Sequence, residues 1–227
     1  MNDLKRMEKF YNNRVKDEWS VFNCYPFFID CKQTYVLTKI LNNIDLKEST
    51  FLDIGAGEGN FILKMISLGI SPNNIVAIEY LKNRYDLLHK KLPNIKAIND
   101  DFLNIDDEKK YDIITLMAVL TSIIDNEIRY AILEKALSRI SENGMLILYD
   151  YFDDEEPLLN ENYRALSLKK VEAISKKYKL IRYKDVYLRS KYVKGLCKLG
   201  LQSLIPFIEF LKIFNDSYHF VVIENEK

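Results

Sequence analysis

The sequence lacks the features that most directly identify metal-binding and nucleic-acid-binding proteins. Its 227 residues include only three cysteines, and none of them has the CxxC spacing of a zinc site. We therefore expect neither a zinc finger nor a disulfide framework. The three cysteines are expected to be reduced thiols. Neither sign of charge is in excess, because 33 lysines and arginines are balanced by 33 aspartates and glutamates. The chain therefore has no global positive field that would hold duplex nucleic acid.

Long uninterrupted hydrophobic runs are also missing. The most apolar stretch, residues 199–214, is interrupted by Gln202, Pro206, Glu209 and Lys212. It is too short and too polar to span a bilayer. The charged N-terminus is not followed by an apolar segment, which argues against a signal peptide. These absences predict a cytoplasmic protein without a transmembrane segment.

The residues that are present fit one compact α/β domain with an appendage. Hydrophobic residues make up 48% of the chain and aromatic residues 12%, enough for a sizeable core. Between residues 50 and 150, short apolar runs alternate with amphipathic stretches, which is typical of strand–helix–strand units on a parallel sheet. The predicted strands are Thr50–Ile54, Ile75–Glu79, Ile95–Asn99, Asp112–Met117, Met145–Asp150, Leu180–Leu188 and Tyr218–Glu224.

Helical patterns connect these strands. The clearest covers Glu127–Ile140, where apolar residues recur at helical spacing. Asn143-Gly144 is then expected to break the chain before the fifth strand. A further helix is predicted near Tyr163–Tyr178.

A glycine-rich segment follows the first predicted strand and reads Gly55-Ala56-Gly57-Glu58-Gly59. Glycines let a backbone turn sharply and approach a ligand, and the helix that starts near Asn60 offers free N–H groups. Dinucleotide-binding loops use the same device, but they require Gly or Ala where Asn60 stands. Asp53 precedes the loop and would repel a pyrophosphate, whereas it suits a ligand that carries an ammonium group, such as a methionine moiety.

Acidic and aromatic residues also follow the second and third predicted strands. Glu79 is placed to accept hydrogen bonds from both hydroxyls of a ribose, and Tyr80 is placed to pack on an adenine face. Asp101 is a candidate for binding the adenine amino group, with Phe102 as a wall beside the ring. A helix or turn cap is the alternative role for Asp101. Together these positions predict a nucleoside site.

At this point the sequence resembles the class I S-adenosylmethionine (SAM)-dependent methyltransferases. The segments that carry the likeness are FLDIGAGEGNF, VAIEY, NDDF, YDIITLMAVL and NGMLILYDYF, in this order, between residues 50 and 152. The resemblance implies SAM as cofactor, S-adenosylhomocysteine (SAH) as product, and a doubly wound, Rossmann-like sheet of seven strands with the last strand antiparallel. It implies cofactor contacts at Asp53, Gly55, Gly57, Glu79, Asp101 and Phe102, and at the backbone around Met117 and Ala118.

A narrower likeness concerns AVLTSIIDNEIRYAI, LILYDYF and YHFVVI. These segments are similar to a bacterial subgroup associated with surface-polysaccharide and capsule clusters. This likeness implies O-methylation of a sugar or a sugar-containing precursor of a surface glycan. Methylation of another small metabolite at oxygen or nitrogen stays open, as does a non-catalytic SAM-binding protein. RNA methylation is disfavoured, because Leu116-Met117-Ala118-Val119 replaces an NPPY-like tetrad and the chain has no basic excess.

A hydroxyl acceptor needs a general base, and His219 is our candidate. In the implied fold, His219 begins the antiparallel strand and Asp150 ends the neighbouring fifth strand, so both lie at the edge where ligands bind. An aspartate beside a histidine orients the imidazole and raises its basicity. The alternative is a packed or capping role for both. Tyr149 and Tyr151 flank Asp150 and are expected to line the acceptor site; a core position for one of them is the alternative.

The predicted organisation has three parts. Residues 1–45 are predicted to form an aromatic-rich helical lead-in that acts as a lid, with an ordinary satellite core as the alternative, and residues 46–227 to form the SAM-binding domain. Within that domain, the helical insert 189–217 is basic at first and apolar later. We expect an acceptor cap there; phosphate binding, a membrane contact or a dimer contact are the alternatives. No metal is implied, the expected partner is a small molecule, and the chain is a monomer or a homodimer.

Overall fold

The computed structural model describes residues 3–13, 24–183, 187–188, 190–210, 215–216 and 218–225. Its helices are α1 (Asp3–Asn12), α2 (Cys24–Ile40), α3 (Asn60–Leu68), α4 (Lys82–Lys91), α5 (Asn126–Ser138), α6 (Leu168–Ile174), α7 (Ser190–Lys198) and α8 (Ile205–Phe210). Its strands are β1 (Phe51–Ile54), β2 (Ile75–Ile78), β3 (Lys96–Ile98), β4 (Tyr111–Met117), β5 (Ile140–Tyr151), β6 (Leu158–Asn160), β7 (Tyr163–Arg164), β8 (Tyr178–Tyr183), β9 (Tyr187–Leu188), β10 (Asn215–Asp216) and β11 (Tyr218–Asn225).

Seven of these strands form the main sheet, in the order β3-β2-β1-β4-β5-β11-β8. Strands β1 to β5 pair in parallel, whereas β11 is antiparallel to both of its neighbours, β5 and β8. The predicted Rossmann-like sheet with an antiparallel last strand is therefore confirmed. The carboxyl ends of β1 to β5 share one edge of the sheet with the start of β11. We call it the carboxyl edge; ligands of open α/β sheets bind there.

Helices cover the main sheet on both faces. One face packs against α5 and α6, and we call it the α5 face. The other packs against α2, α3 and α4, and we call it the α3 face. Side chains alternate between the faces of a strand, and all four residues of Phe51–Ile54 are buried. Central strands therefore read as continuous apolar runs, as expected of a parallel sheet that is covered on both sides.

Two element boundaries differ from the prediction. Asn143-Gly144 does not precede the fifth strand but lies within β5, whose pairing with β4 shifts between Tyr111 and Ile113. The helix expected near Tyr163–Tyr178 begins only after Ser167, whose hydroxyl accepts a hydrogen bond from the Lys170 backbone N–H. The residues before it form β7, which pairs with β6 in a hairpin.

The predicted sixth strand, Leu180–Leu188, is also shifted. Strand β8 begins at Tyr178 and ends at Tyr183, and it pairs with β11 along this length. Strand β9 pairs instead with β10 in a separate two-stranded sheet. Residues 184–186 lie outside the described residues. The continuous β-propensity of this segment therefore concealed a change of pairing partner.

The insert packs against the N-terminal lead-in. Val193 of α7 and Ile205 of α8 are buried together, and Phe28 of α2 packs against them. Cys197 of α7 is disulfide-bonded, so the expectation of three reduced thiols is wrong; sequence spacing does not show which cysteines meet in three dimensions. Residues 14–23, 189, 211–214 and 217 lie outside the described residues.

The lengths and compositions of the helices also bear on membrane insertion. None of the helices in the described ranges combines the length and the apolar composition that a bilayer crossing requires.

Candidate functional site

The glycine loop lies at the carboxyl edge, between β1 and α3. Gly55, Gly57 and Gly59 have φ angles of 72°, 58° and 80°, values that glycine adopts without the strain of a side chain. A Cβ on Gly55 would lie 2.6 Å from Cγ2 of Val119, and one on Gly57 would meet the Arg84 guanidinium. The loop therefore requires glycine for its backbone conformation and, at Gly55, also for its close contact with Val119.

Glu79 connects this loop to the start of α4. Its buried carboxylate accepts a hydrogen bond from Gly57 N–H at 2.6 Å on Oε2 and one from Leu81 N–H at 2.8 Å on Oε1. The Glu79 N–H itself donates to the carbonyl of Ile98 at 3.0 Å. Each carboxylate oxygen can accept a second hydrogen bond. Both carboxylate oxygens therefore keep acceptor capacity, and contact of Glu79 with the hydroxyls of a ribose stays a prediction.

Asp53 is a second buried acid at the same edge. Its Oδ1 accepts a hydrogen bond from the Thr115 hydroxyl at 2.6 Å. Burial raises the pKa of Asp53 to about 7; the Thr115 hydrogen bond lowers it, and the charge of Glu79 raises it further. A cationic group bound beside these two acids would favour the ionised form of Asp53. The site is therefore suited to a ligand with a positive charge.

Asn99 joins the ends of β2 and β3, and the sequence interpretation missed its role. Its side-chain amide donates to the backbone carbonyls of Glu79 at 2.8 Å and Tyr80 at 3.1 Å. Tyr80, whose carbonyl accepts this hydrogen bond, is 40% exposed, so its side chain is accessible for packing on a ligand. The only signal for Asn99 in the sequence is its position as the last residue of the predicted strand Ile95–Asn99.

Asp101 and Phe102 occupy the loop after β3 in a partly different manner from the expectation. The Asp101 carboxylate accepts a hydrogen bond from Leu103 N–H at 2.9 Å and caps the 3₁₀ helix Phe102–Asn104. The Phe102 side chain is buried in the core of the α5 face, with the Lys135 ammonium over its ring. The capping alternative thus describes the observed hydrogen bond. Contact of either residue with a cofactor stays a prediction.

Met117 and Ala118 begin the loop after β4. Ala118 has a φ of 57°, and its N–H donates to the carbonyl of Tyr149 at 2.7 Å. Val119, the next residue, is the one that contacts Gly55. This loop therefore lies against the glycine loop, and contact of its backbone with the cofactor stays a prediction.

Asp150, near the end of β5, binds the loop that follows β4. Thr121 donates to Oδ1 of Asp150 twice, from its N–H at 3.1 Å and from its hydroxyl. The carboxylate is fully buried, and its Oδ2 has no hydrogen-bond partner within the described part of the chain. Burial raises the pKa of Asp150 to about 7, against the lowering effect of the hydrogen bonds from Thr121. Asp150 therefore positions the loop after β4 through Thr121.

His219 lies directly opposite Asp150 in the pairing of β11 with β5. Its ring stacks on Phe152 at a centroid distance of 4.8 Å, and its Nε2 lies 3.3 Å from Nη2 of Arg182. The sheet therefore brings the two predicted residues to neighbouring positions at the carboxyl edge. The hydrogen bonds described for Asp150, however, come from Thr121.

Tyr149 and Tyr151 point to the opposite face of the sheet from Asp150, because side chains alternate along β5. Tyr218 stacks on Tyr149 at a centroid distance of 5.6 Å and meets Tyr151 edge-on at 5.3 Å. These three residues form what we call the tyrosine cluster. It lies on the α3 face, the face that also carries Asp53.

Helix α1 connects loops on both sides of the site. The buried Arg6 side chain donates to the carbonyl of Ser122 at 2.7 Å and to that of Asn162 at 3.0 Å. At the other end of α1, the Tyr11 ring packs on the Arg84 guanidinium at 4.3 Å, which in turn lies against the glycine loop. These contacts attach the lead-in to the loops of the site, and its role as a lid stays a prediction. No local pattern marks Arg6 as their anchor.

Comparison with known proteins agrees with this geometry. The methyltransferase-domain family matches residues 32–183 of the chain. The ribosomal RNA small subunit methyltransferase A of Mesomycoplasma hyopneumoniae (strain 232) is 30% identical over 183 residues, which cover 77% of this chain and 60% of that protein. The same enzyme from strain J matches to the same extent. The chain therefore spans about 60% of the length of these curated relatives.

Solved methyltransferases share the fold at low sequence identity. The N-methyltransferase NodS from Bradyrhizobium japonicum WM9, in complex with SAH, has a TM-score of 0.69 at 13% identity, and the match covers 100% of both chains. The SAM-bound magnesium protoporphyrin IX methyltransferase from Synechocystis PCC 6803 has a TM-score of 0.64 at 11% identity, covering 100% of this chain and 98% of that one. By its family match, its sheet order and its glycine loop, this chain belongs to the methyltransferase-domain family and has the fold of the class I SAM-dependent methyltransferases.

Proposed function

We propose that this chain transfers a methyl group from SAM to a hydroxyl of a sugar or a sugar-containing precursor of a bacterial surface glycan. The observation that carries the donor half of this proposal is the Glu79 carboxylate, which is fixed between the glycine loop and α4. It offers acceptors for a ribose, while the buried Asp53 offers a partner for an ammonium group. When bound, SAM supplies an electrophilic methyl group on a sulfonium.

The acceptor half of the proposal relies on the tyrosine cluster. Small-molecule sites combine aromatic walls with a few oriented polar groups, and the apolar C–H faces of sugar rings suit aromatic faces. The cluster lies at the end of β5, on the same sheet face as Asp53. A sugar methyltransferase with the same fold supports this choice. It is CalS10 of Micromonospora echinaspora, an amino pentose methyltransferase with a TM-score of 0.59 at 10% identity, matched over 86% of this chain and 91% of its own.

The residues of the chain have three tasks in this reaction. The glycine loop and Glu79 fix the donor, and the tyrosine cluster holds the acceptor in line with the methyl group, since positioning supplies much of the rate enhancement. For the general base that takes the proton of the acceptor hydroxyl we propose His219. Its ring stacks on Phe152 of the α5 face, so the acceptor hydroxyl has to reach over the carboxyl edge from the tyrosine cluster. Asp150 keeps the loop after β4 in place through Thr121.

Replacing His219 by alanine is expected to slow methyl transfer at least roughly tenfold and to leave the affinity for SAM unchanged, because a general base typically contributes a factor of 10²–10⁴. Single-turnover rates together with calorimetric titration of SAM separate the two effects. His89→Ala is the matched control, because His89 is an exposed histidine on α4. An unchanged rate in His219→Ala would remove His219 as the base.

The affinity for SAM is expected to fall about tenfold between pH 7.5 and pH 5.5. A carboxyl with a pKa of about 7 is mostly ionised at the upper pH and protonated at the lower one, while an α-ammonium group stays charged. Protonation of Asp53 therefore competes with binding of the cation, and affinity is lost as the pH decreases. Calorimetric titrations of SAM at both pH values measure the change in affinity.

Two variants are the controls for this prediction. Asp53→Asn should bind SAM weakly, with the same affinity at both pH values, and Asp101→Asn should keep the pH dependence of the unaltered chain. An affinity of the unaltered chain that does not change with pH would contradict this role of Asp53.

RNA methylation is a second candidate, favoured by the identity with the ribosomal RNA methyltransferases. The balanced charge of the chain disfavours it, because RNA binding depends on basic surfaces. Transfer of a labelled methyl group to sugar nucleotides and to small-subunit ribosomal RNA, measured in parallel, distinguishes the two. We expect labelled sugar. Labelled RNA alone would replace the proposal, and SAM binding without transfer to any small hydroxyl or amine acceptor would favour a non-catalytic protein.

A further inference from the structure

The insert presents large apolar side chains to solvent. The segment from α7 to α8, residues 190–210, contains five of them between residues 199 and 210. They are Leu199 at 72% exposure, Leu201 at 43%, Leu204 at 44%, Phe207 at 63% and Phe210 at 80%. We call these five residues the apolar rim. Single exposed apolar residues are ordinary, but a concentration of this kind marks an interaction site.

The helical segment around α8 has an exposed side, which carries part of the apolar rim, and an inner side that packs against the rest of the chain. Leu204, Phe207 and Phe210 follow one another at intervals of three residues, so they lie along one side of the helical segment. On the inner side, Ile205 is buried, and Glu209 forms a salt bridge with Lys32 of α2 at 2.5 Å. The inner contacts fix α8 to the lead-in. The orientation of the rim toward solvent is therefore determined by the fold.

The charge of this segment is strongly positive, although the chain as a whole is neutral. Residues 189–210 contain Glu209 as their single acidic residue, and that residue faces Lys32. The basic residues of the same segment are Arg189, Lys191, Lys194 and Lys198. Lys194 and Lys198 are exposed on α7, four residues apart and hence on one side of it. Basic residues thus precede the apolar rim along the chain, and Lys198 is directly followed by Leu199 of the rim.

This combination selects among possible partners. A second copy of the chain would place the same basic residues near each other, because a two-fold interface brings identical patches together. An anionic lipid surface instead provides phosphates for the lysines and an acyl boundary for leucine and phenylalanine side chains. We propose that the apolar rim and the basic residues of α7 bind the surface of membranes that contain anionic lipids. This proposal goes beyond the methyl-transfer reaction and does not depend on which acceptor is used.

Flotation of the full chain with phospholipid vesicles tests this inference. We expect it to float with vesicles of phosphatidylcholine and phosphatidylglycerol, and on the order of tenfold less with phosphatidylcholine alone or at high salt. The double variant Phe207→Ser/Phe210→Ser should lose at least roughly tenfold in partitioning, because two side chains no longer enter the boundary. Leu158→Ser/Leu159→Ser is the matched control, since it removes two exposed leucines of β6 and should partition like the unaltered chain.

Three results would overturn the proposal. The first is an absence of flotation with both kinds of vesicle, and the second is equal flotation of the phenylalanine variant and the unaltered chain. The third is that the unaltered chain self-associates in sedimentation, does not bind vesicles, and loses its self-association in the phenylalanine variant; the rim would then be a contact between copies.

A charge variant, Lys194→Glu/Lys198→Glu, tests the electrostatic part and keeps the rim intact. If it bound anionic vesicles as well as the unaltered chain does, the electrostatic part would be wrong.

Discussion

Replacing Glu79 by alanine is expected to weaken SAM binding at least about a hundredfold. Two hydrogen bonds to a charged acceptor contribute about 1.5–3 kcal/mol each, and both would disappear from the ribose. The variant would also release Gly57 and Leu81, whose N–H groups donate to this carboxylate. The loop would then lose the contact that holds it in its binding conformation. Calorimetric titration of SAM and SAH against both proteins measures the change.

The matched control for this prediction is Asp86→Ala, because Asp86 is an exposed acid in α4 that pairs with Lys82. We expect its affinity for SAM to stay within about twofold of the unaltered chain, since exposed pairs contribute little. Thermal unfolding of both variants shows whether the fold is intact. Affinity within threefold in a folded Glu79→Ala protein would remove Glu79 from the cofactor site.

Replacing Arg129 by methionine is expected to lower the free energy of unfolding by about 3–5 kcal/mol, as is typical when one partner of a buried ion pair is removed. Arg129 is fully buried in α5; its Nη2 lies 2.5 Å from Oε1 of Glu156, and its Nη1 donates to the carbonyl of Arg164. Burial raises the pKa of Glu156, but hydrogen bonds from Lys170 and Tyr130 and the charge of Arg129 lower it below its usual value. Denaturant unfolding near pH 7 measures the loss.

Arg139→Met provides the comparison. Arg139 is also largely buried, but its partner Asp107 is 44% exposed at the side chain, so water can solvate that carboxylate when the arginine is removed. We expect a loss of about 1 kcal/mol for the ion pair itself. Equal losses in the two variants would show that the Glu156 pair has no special role. The pair matters for the site because Glu156 lies in the segment that follows Asp150 and Tyr151.

The parts of the fold that the sequence predicted are those determined by local patterns. Buried parallel strands read as apolar runs, and the residues at their ends, Asp53 and Glu79, could be assigned to the carboxyl edge from chain order alone. The glycine loop could be identified because a run of glycines between a strand and a helix indicates a sharp turn and a close approach of the backbone to a ligand. The tyrosines at the end of β5 likewise follow from the strand position.

The features that escaped prediction depend on contacts between distant segments. The partner of Asp150 was expected to be His219, which does lie opposite it in the sheet, but Thr121 of a 3₁₀ turn supplies the hydrogen bonds. Thr115, which holds Asp53, is an unremarkable residue of a buried strand. Arg6 is separated from Asn162 by 156 residues, and no periodicity reports such a pairing.

Calorimetric titration of the full chain with SAM, SAH and NAD⁺ tests the central claim most directly. The buried acids Asp53 and Glu79 and the glycine loop between them predict saturable binding of SAM and SAH at one site per chain, and no binding of NAD⁺. Binding of NAD⁺, or an absence of binding for both SAM and SAH in a folded protein, would contradict the claim.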